Sequence, residues 1–224
     1  MKRQTLTEKT ADELLRYIQE HQLKPGDRIA TEADLQKDLG VGRNTIREAL
    51  RLLMSRGIVT VRQGSGTYIS EREGVSEDPL GFSMQSDRKK LTEDLLQTRL
   101  ILEPPIAALA AQNAGRDDVE KLRVIFQEAD ARILAHGEYA AQDCAFHVQI
   151  ARCTHNSVME KLIPVITNGV MTFAENVRET EYEQTLLSHR AIFKAIEERR
   201  PVDAQRAMEF HVLFNANRYR AQDQ

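Results

Sequence analysis

Residues 39–50 read Leu-Gly-Val-Gly-Arg-Asn-Thr-Ile-Arg-Glu-Ala-Leu, and this stretch decides the fold of the first part of the chain. Gly40 is typical of a helix end, because glycine adopts the left-handed backbone that follows a last helical turn. From Arg43 onward the pattern is helical, since Ile46 and Leu50 recur four residues apart on one face. The stretch predicts a helix end, a turn and a second helix that begins at Arg43.

One face of this predicted helix is basic. Arg43, Arg47 and Arg51 follow one another at intervals of four residues, so their side chains form a single ridge. Guanidinium groups donate paired hydrogen bonds to guanine edges and to phosphates. A row of arginines can equally be a solvated helix face, and the neighbouring elements distinguish the two interpretations.

Two predicted helices precede the basic helix, and a predicted hairpin follows it. Residues 8–21 carry apolar residues at helical spacing, and Thr31 fits the N-cap of a second helix. Residues 58–62 and 67–70 alternate as strands do, around the glycine-rich tip at 63–66. Three helices and then a hairpin form the order of a winged helix-turn-helix.

The winged helix-turn-helix suggests which side chains reach DNA. Its third helix enters the major groove, so Arg43 and Arg47 could contact guanine edges or phosphates. The start of the second helix, at Thr31, can offer a hydroxyl and a backbone N–H to a phosphate. Gly64 in the wing lets the backbone approach DNA closely.

The composition excludes several classes of protein. The 224 residues are 41% hydrophobic and 29% charged, as in an ordinary globular protein rather than a disordered one. No apolar run reaches the roughly 20 residues needed to cross a bilayer, and the first residues are charged rather than secretory. We therefore expect a cytoplasmic protein without a membrane partner. Cys144 and Cys153 are expected to be reduced thiols.

The charge is distributed unevenly. Residues 1–70 carry 12 Lys and Arg against 9 Asp and Glu, whereas the remainder carries 19 against 25. A basic first part on an acidic remainder supports a nucleic-acid contact confined to one end of the chain.

The remainder of the chain predicts a second, all-helical domain. Residues 73–90 show no sustained period and are interpreted as a linker between a DNA-binding domain at 1–72 and a helical domain at 91–224. Six or so helices with short loops predict an antiparallel bundle able to hold a ligand. Pro104 and Pro105 should kink or restart the first of them. The predicted fold class is mainly α.

Four residues of the predicted bundle could hold a metal ion. Asp143 and His147 lie one turn apart on one helix, and His189 and His211 lie on two later helices. Three imidazoles and a carboxylate suit zinc, nickel or manganese, and leave positions for water or a ligand oxygen. The Asp143 and His147 pair alone can also be a simple surface contact.

Arg99 lies on the inner side of the first bundle helix. Its guanidinium fork matches the two oxygens of a carboxylate held on the metal. It can equally pair with Glu103, one turn away. The residues by themselves leave both interpretations open.

Motifs along the chain resemble the GntR superfamily of bacterial transcription regulators, in its FadR branch. In the first domain they lie at residues 23–29, 39–50, 57–59 and 64–69. In the second they lie at residues 98–104, 107–111, 143–147, 155–156, 188–192 and 211, and there they resemble the FCD effector-binding domain.

This resemblance implies roles for particular residues. In FadR-type regulators the recognition helix and the wing tip contact DNA, and the predicted DNA contacts are Thr31, Arg43, Asn44, Thr45, Arg47, Gln63, Gly64 and Ser65. In metal-binding members an Asp and three His hold a divalent cation, which favours the quartet Asp143, His147, His189 and His211. The resemblance also favours Arg99 as the group that meets an effector such as a sugar acid or a small hydroxy or keto acid.

The sequence therefore predicts a ligand-responsive transcription regulator, most often a repressor in this family. It would bind a palindromic operator as a homodimer and sense a small organic acid through a metal ion, zinc first and nickel or manganese next. A metalloenzyme with a DNA-binding head is the alternative, because an open metal position can activate water. A DNA-architectural protein with a structural metal is a third hypothesis.

Overall fold

The structure, a computed structural model, is mainly helical and divides into two compact units. The units are Met1–Leu80 and Gly81–Gln224. The described part of the chain comprises residues 4–72, 74–135, 139–173 and 182–221. Within it lie nine α-helices and one two-stranded sheet, which confirms the predicted fold class. Within the same residues, no helix combines the length and the apolar character that crossing a membrane requires.

The first unit has the predicted order of elements. Its helices and strands are α1 (Leu6–Glu20), α2 (Glu32–Leu39), α3 (Arg43–Ser55), β1 (Val59–Arg62) and β2 (Gly66–Ile69). Thr5 and Glu8 form a capping box at the start of α1, and the Thr31 hydroxyl accepts a hydrogen bond from the Asp34 N–H at the start of α2. Gly40 ends α2 in the left-handed conformation, with φ at 64°.

The hairpin packs onto the core of the three helices. Strands β1 and β2 are antiparallel and pair Val59 with Ile69 and Arg62 with Gly66. Val59 and Ile69 are buried, so the base of the wing joins the helical core. The backbone before α2 adds a bridge to β2, since the N–H of Ile29 donates to the carbonyl of Thr67. The wing is thus held from both sides.

The second unit is helical throughout its described residues. A 3-10 turn (Phe82–Met84) precedes α4 (Arg88–Asn113), α5 (Arg116–Leu134), α6 (Ala140–Arg152), α7 (Met159–Phe173), α8 (Tyr182–Glu197) and α9 (Pro201–Ala221). The core is built around Phe146, Ile150, Ile192 and Met208, all almost fully buried. This core encloses the inner faces of α4, α6, α8 and α9, which is where the predicted metal ligands lie.

The first helix of this unit differs from the sequence prediction at both its start and its middle. It begins at Arg88, inside the predicted linker, with Asp87 as its N-cap. The prolines were predicted to kink or restart the helix, and the restart was wrong, because α4 continues through Pro104 and Pro105. A proline inside a helix costs roughly 3 kcal/mol, and the long buried face of α4 against α9 and α6 offsets that cost.

Gly57 offers a test of the first unit. It has φ at 70°, and a Cβ there would overlap the backbone carbonyl of Val75. Gly57→Ala should lower the free energy of unfolding by roughly 1–3 kcal/mol beyond the cost of placing alanine in the left-handed conformation, because the backbone must move to make room for the Cβ. The matched control is Gly40→Ala, also at positive φ but with open space around it, which should lose roughly 1–2 kcal/mol. Calorimetry of the full-length variants measures both, and equal losses would contradict the overlap.

Candidate DNA-binding surface and effector site

The recognition helix α3 presents its arginines to the surface, where an acidic residue of α2 holds them. The side chains of Arg43 and Arg47 are 68% and 52% exposed. Glu32 contacts both, with its two oxygens 3.1 Å from Arg43 Nε and 3.4 Å from Arg47 Nε. Sequence reasoning missed Glu32, because its contact with α3 depends on how the two helices pack and not on a local pattern.

The predicted DNA contacts fall in two groups in the first unit. At the starts of α2 and α3, the side chains of Thr31, Arg43, Asn44 and Arg47 are exposed, and Thr45 is half-buried. At the wing tip, Gln63, Gly64 and Ser65 are exposed. The Thr31 hydroxyl also donates to the Asp34 carboxylate at 2.6 Å, so a phosphate would share it with the helix cap.

The wing carries two side chains that the sequence did not single out. Tyr68 makes a 2.5 Å hydrogen bond with the hydroxyl of Ser65, and the guanidinium of Arg62 lies 4.4 Å from the centre of the Tyr68 ring. These contacts fix the orientation of Ser65 and add a cation beside the wing tip.

In the second unit the structure brings the four predicted metal ligands together. Asp143 and His147 come from α6, His189 from α8 and His211 from α9, and their ligand atoms all lie within 4.8 Å of one another. The three imidazoles are buried, and the Asp143 side chain is 21% exposed. The alternative that Asp143 and His147 form a simple surface contact therefore does not fit this arrangement.

The donor atoms converge in the way a shared cation requires. His147 Nε2 lies 3.2 Å from His211 Nε2, and His189 Nε2 lies 3.0 Å from Asp143 Oδ1. Bonds of about 2.1 Å to one ion place adjacent donors about 3 Å apart. Within the described residues, this carboxylate oxygen is the group that the structure places beside the buried Nε2 of His189. The residues present fit a divalent metal ion.

A second set of side chains orients these imidazoles. Glu103 of α4 contacts Nδ1 of His147, and the Ser188 hydroxyl makes a 2.9 Å hydrogen bond with Nδ1 of His211. Both contacts leave Nε2 facing the cluster. A carboxylate or hydroxyl on the outer ring nitrogen sets the tautomer and raises the basicity of a ligating histidine.

The charges around the cluster also suit a cation. Burial opposes ionisation of Glu103, but Arg99 and His147 outweigh it and lower the pKa of Glu103 to about 2. Burial likewise opposes the charge on Asp143, yet its contacts with the three histidines hold its pKa well below its usual range. Burial, with the neighbouring imidazoles, lowers the pKa of His211 well below its ordinary value. Charged carboxylates and a neutral imidazole are the forms that bind metal.

Arg99 pairs with Glu103, which was one of the two interpretations that the sequence left open. Its Nε and Nη2 donate to the two carboxylate oxygens of Glu103, and both side chains are buried. Arg99 also lines a cavity of about 110 Å³, together with Asp143, Cys144 and Arg218. Asp143 thus belongs both to the cavity wall and to the candidate metal site. Arg99 belongs both to the cavity wall and to the pair with Glu103.

Two of these cavity residues were not predicted. Cys144 follows Asp143 in the sequence and still reaches the cavity, and it is a free thiol like Cys153. Arg218 lies seven residues after His211, a spacing that places both on one face of a helix and could have indicated its position.

Comparison with known proteins identifies both units. The family model of bacterial regulatory proteins, gntR family, matches residues 6–69, and the FCD domain model matches residues 94–214. The chain belongs to the GntR family and carries an FCD domain. A solved Streptococcus agalactiae GntR protein is 40% identical, with a TM-score of 0.82 over 94% of this chain and 99% of that one.

Named relatives of this GntR protein are regulators of transcription. The HTH-type transcriptional regulator LutR of Bacillus subtilis is 28% identical over 87% of this chain and 92% of its own length. The galactonate operon transcriptional repressor of Escherichia coli K12 is 26% identical over 77% of this chain and 78% of its own length. The protein is therefore a ligand-responsive transcription regulator rather than an enzyme, and the metalloenzyme alternative has no support.

Replacing Glu103 tests the buried contacts around the cluster. Glu103→Gln should destabilise the FCD domain by roughly 3 kcal/mol, because Arg99 is left as a buried charge without its counter-ion. It should also weaken zinc binding by about 10- to 100-fold, as loss of an outer-ring partner does. Calorimetry and competition with a zinc chelator measure the two effects. Glu120→Gln, in an exposed pair with Arg123, is the control and should change neither; unaltered zinc affinity in Glu103→Gln would contradict the orienting role.

Proposed function

We propose that this GntR-family regulator is a homodimeric repressor that binds a palindromic operator and senses a small organic acid at a metal ion in its FCD domain. One observation carries the proposal: the cavity of the second unit is lined by Asp143, a member of the candidate metal quartet, and by Arg99. A cavity beside an open metal position is where an effector would bind. We place the protein in the cytoplasm, where its DNA partner lies.

The quartet Asp143, His147, His189 and His211 would hold the ion, with zinc first and nickel or manganese as alternatives. Three imidazoles and one carboxylate suit each of these ions and leave coordination positions open. When bound, such an ion supplies a Lewis-acidic point for a carboxylate oxygen. Glu103 and Ser188 hold the outer nitrogens of His147 and His211, so the inner nitrogens are oriented before the ion arrives.

The cavity volume limits the effector to a small acid. A water-sized group needs roughly 10–15 Å³ of such volume, so a cavity of about 110 Å³ accommodates roughly seven to eleven non-hydrogen atoms. A short hydroxy or keto acid has this size. The name of the E. coli relative refers to a galactonate operon, but a six-carbon sugar acid is larger than this volume, which favours the shorter acids.

Homodimerisation follows from the family resemblance and from the need to meet a two-fold operator. A two-fold dimer presents two recognition helices at a fixed spacing to the two half-sites. The FCD domain has apolar side chains at its surface that such a contact could cover: Phe210 and Leu213 on α9 are 51% and 41% exposed, and Ile101 on α4 is 65% exposed. The proposed effect on transcription is repression, in line with the name of the galactonate relative.

The proposed response is a shift between two packings of the bundle. An acid that binds one packing better than the other raises its population by that difference in affinity. The cavity is lined from α4, α6 and α9, through Arg99, Asp143 and Arg218 respectively. A ligand that contacts all three helices would change how they pack. A small change in the distance between the two DNA-binding units of the dimer would then weaken binding to one half-site.

Replacing a ligand tests the metal site. His189→Ala should reduce bound zinc from one ion per chain to a small fraction, because it removes one of four donors that already converge. Atomic emission after dialysis against zinc measures the stoichiometry, with helix content checked by circular dichroism. His155→Ala is the control, since that exposed histidine pairs with Asp118 away from the quartet. Full zinc occupancy in His189→Ala would refute the quartet.

Replacing a recognition arginine tests the DNA-binding surface. Arg43→Ala should weaken binding to an operator selected in vitro from random duplexes by roughly 1–3 kcal/mol, about 5- to 150-fold, and relax the preference at one base position. Fluorescence anisotropy at fixed salt measures the affinity. Arg16→Ala removes an equally exposed arginine from α1 and should leave it unchanged. Wild-type affinity and an unchanged base preference in Arg43→Ala would refute the assignment.

A further inference from the structure

The wing of the first unit carries two arginines on one face of its sheet. Strand β2 has a neighbour on each side, because it pairs with β1 in the hairpin and with residues 26–29 on its other side. Tyr68 of β2 lies opposite Arg28, and Gly66, two residues earlier, lies opposite Arg62 of β1. Residues that lie opposite one another in antiparallel strands share a face. Arg28, Arg62 and Tyr68 therefore lie on the same face of the wing.

This face, called the outer face of the wing here, points away from the core of the first unit. Successive side chains of a strand point to opposite faces. The residues that alternate with the outer face are Ile29, Val59 and Ile69, and all three are buried. Arg28 and Arg62 are exposed. The sheet thus directs its apolar side chains inwards and its two guanidiniums to the solvent.

Each guanidinium of the outer face lies against a neutral group. The guanidinium of Arg62 is 4.4 Å from the centre of the Tyr68 ring, and Tyr68 in turn bonds to Ser65 at the wing tip. The guanidinium of Arg28 lies across Gly66, where an added Cβ would be 2.9 Å from its Nε. An aromatic ring attracts a cation without neutralising it. Both arginines are therefore positioned on the wing with their charge intact.

The arginines of the outer face differ from those of α3 in their acidic partners. Glu32 contacts both arginines at the start of α3. Of the carboxylates in the described part of the chain, none pairs with Arg28 or Arg62. Asp27, the neighbour of Arg28, instead accepts a hydrogen bond from the N–H of Lys24. The outer face thus offers cations that need not leave a carboxylate when they meet an anion.

The spacing of these cations suits the backbone of duplex DNA. Neighbouring strands lie about 4.8 Å apart, so β1 and residues 26–29 are roughly 10 Å apart across β2. Duplex DNA carries one negative charge for about every 1.7 Å of its axis. Arg62 also directly precedes the wing tip at 63–65, so the outer face is continuous with the predicted DNA contacts. Both arginines can therefore meet phosphates of a duplex that the wing tip touches.

We infer that Arg28 and Arg62 form a phosphate-binding face of the wing, which supplies a sequence-independent and salt-dependent part of the affinity for DNA. The arginines of α3 supply the selection of sequence. Tyr68 is a positioning residue that holds Arg62 over the sheet. This assignment rests on DNA binding by the GntR family and requires neither the proposed metal ion nor the proposed effector.

Fluorescence anisotropy of the full-length protein at several salt concentrations tests the inference with two duplexes. One is an operator selected in vitro from random duplexes, and the other has the same composition in scrambled order. Arg28→Gln and Arg62→Gln should each lower the slope of log affinity against log salt by about one. Each should weaken binding to both duplexes by the same factor, roughly 8-fold at 0.1 M salt, because each phosphate contact contributes a slope of about 0.9.

Three further variants separate charge, position and sequence reading. Arg62→Lys keeps the charge and should keep the wild-type slope. Arg16→Gln removes an exposed arginine that pairs with Glu13 on α1, and it should change neither slope nor affinity. Arg43→Ala should weaken binding to the operator more than binding to the scrambled duplex, because it removes a base contact.

The slope and the two duplexes together decide the result. A wild-type slope in both Arg28→Gln and Arg62→Gln would overturn the inference, and so would a loss confined to the operator, since that is sequence reading. An equal loss in Arg62→Lys and Arg62→Gln would indicate a structural role and would also overturn it. Failure of the wild-type protein to select any operator would contradict the proposed operator binding, and the scrambled duplex would still decide the inference.

Discussion

The buried contact that joins Arg99, Glu103 and His147 is the interaction on which the effector site depends. Removing two charges from water costs several kcal/mol for each ion, and their attraction roughly offsets that cost, so the pair contributes little net stability. The pair instead sets the orientation of the side chains around it. The Glu103 carboxylate lies between a guanidinium that lines the cavity and an imidazole that faces the metal quartet. One side chain of α4 thus fixes the orientation of groups in both places.

This arrangement gives a physical route for coupling between the metal and the effector. An acid that draws the guanidinium of Arg99 away from Glu103 changes the carboxylate that orients His147. The two binding free energies are linked. The factor by which the ion changes the affinity for the acid therefore equals the factor by which the acid changes the affinity for the ion. Coupling of this kind is typically worth 1–3 kcal/mol, about 5- to 150-fold in affinity. In the proposed function, the same residues would hold the ligand and transmit its presence to the helices around it.

Local periodicity predicted the elements well, and long-range contacts explain what it missed. The arginine interval of α3 and the shared face of Asp143 and His147 followed from helical spacing alone. The family resemblance favoured joining this pair to His189 and His211, and the structure brings the four together. The predicted restart at Pro104 and Pro105 failed because tertiary packing of α4 outweighs a local penalty. For Arg99, spacing permitted the pair with Glu103 that the structure contains, but it did not indicate that Arg99 also lines a cavity. Arg218 had a helical interval from His211, but no local pattern indicated that it lines the same cavity.

Glu32 places a comparable constraint on the DNA-binding unit. It holds Arg43 and Arg47 through exposed contacts, which are individually weak and screened by salt. Guanine edges and phosphates accept paired hydrogen bonds from the same guanidiniums, so DNA can replace the carboxylate. Glu32 would then remain beside the phosphates as an uncompensated negative charge, at a cost that is the same for every DNA sequence. Such a cost lowers specific and non-specific affinity alike, so discrimination between sequences would rest on the base contacts of the arginines.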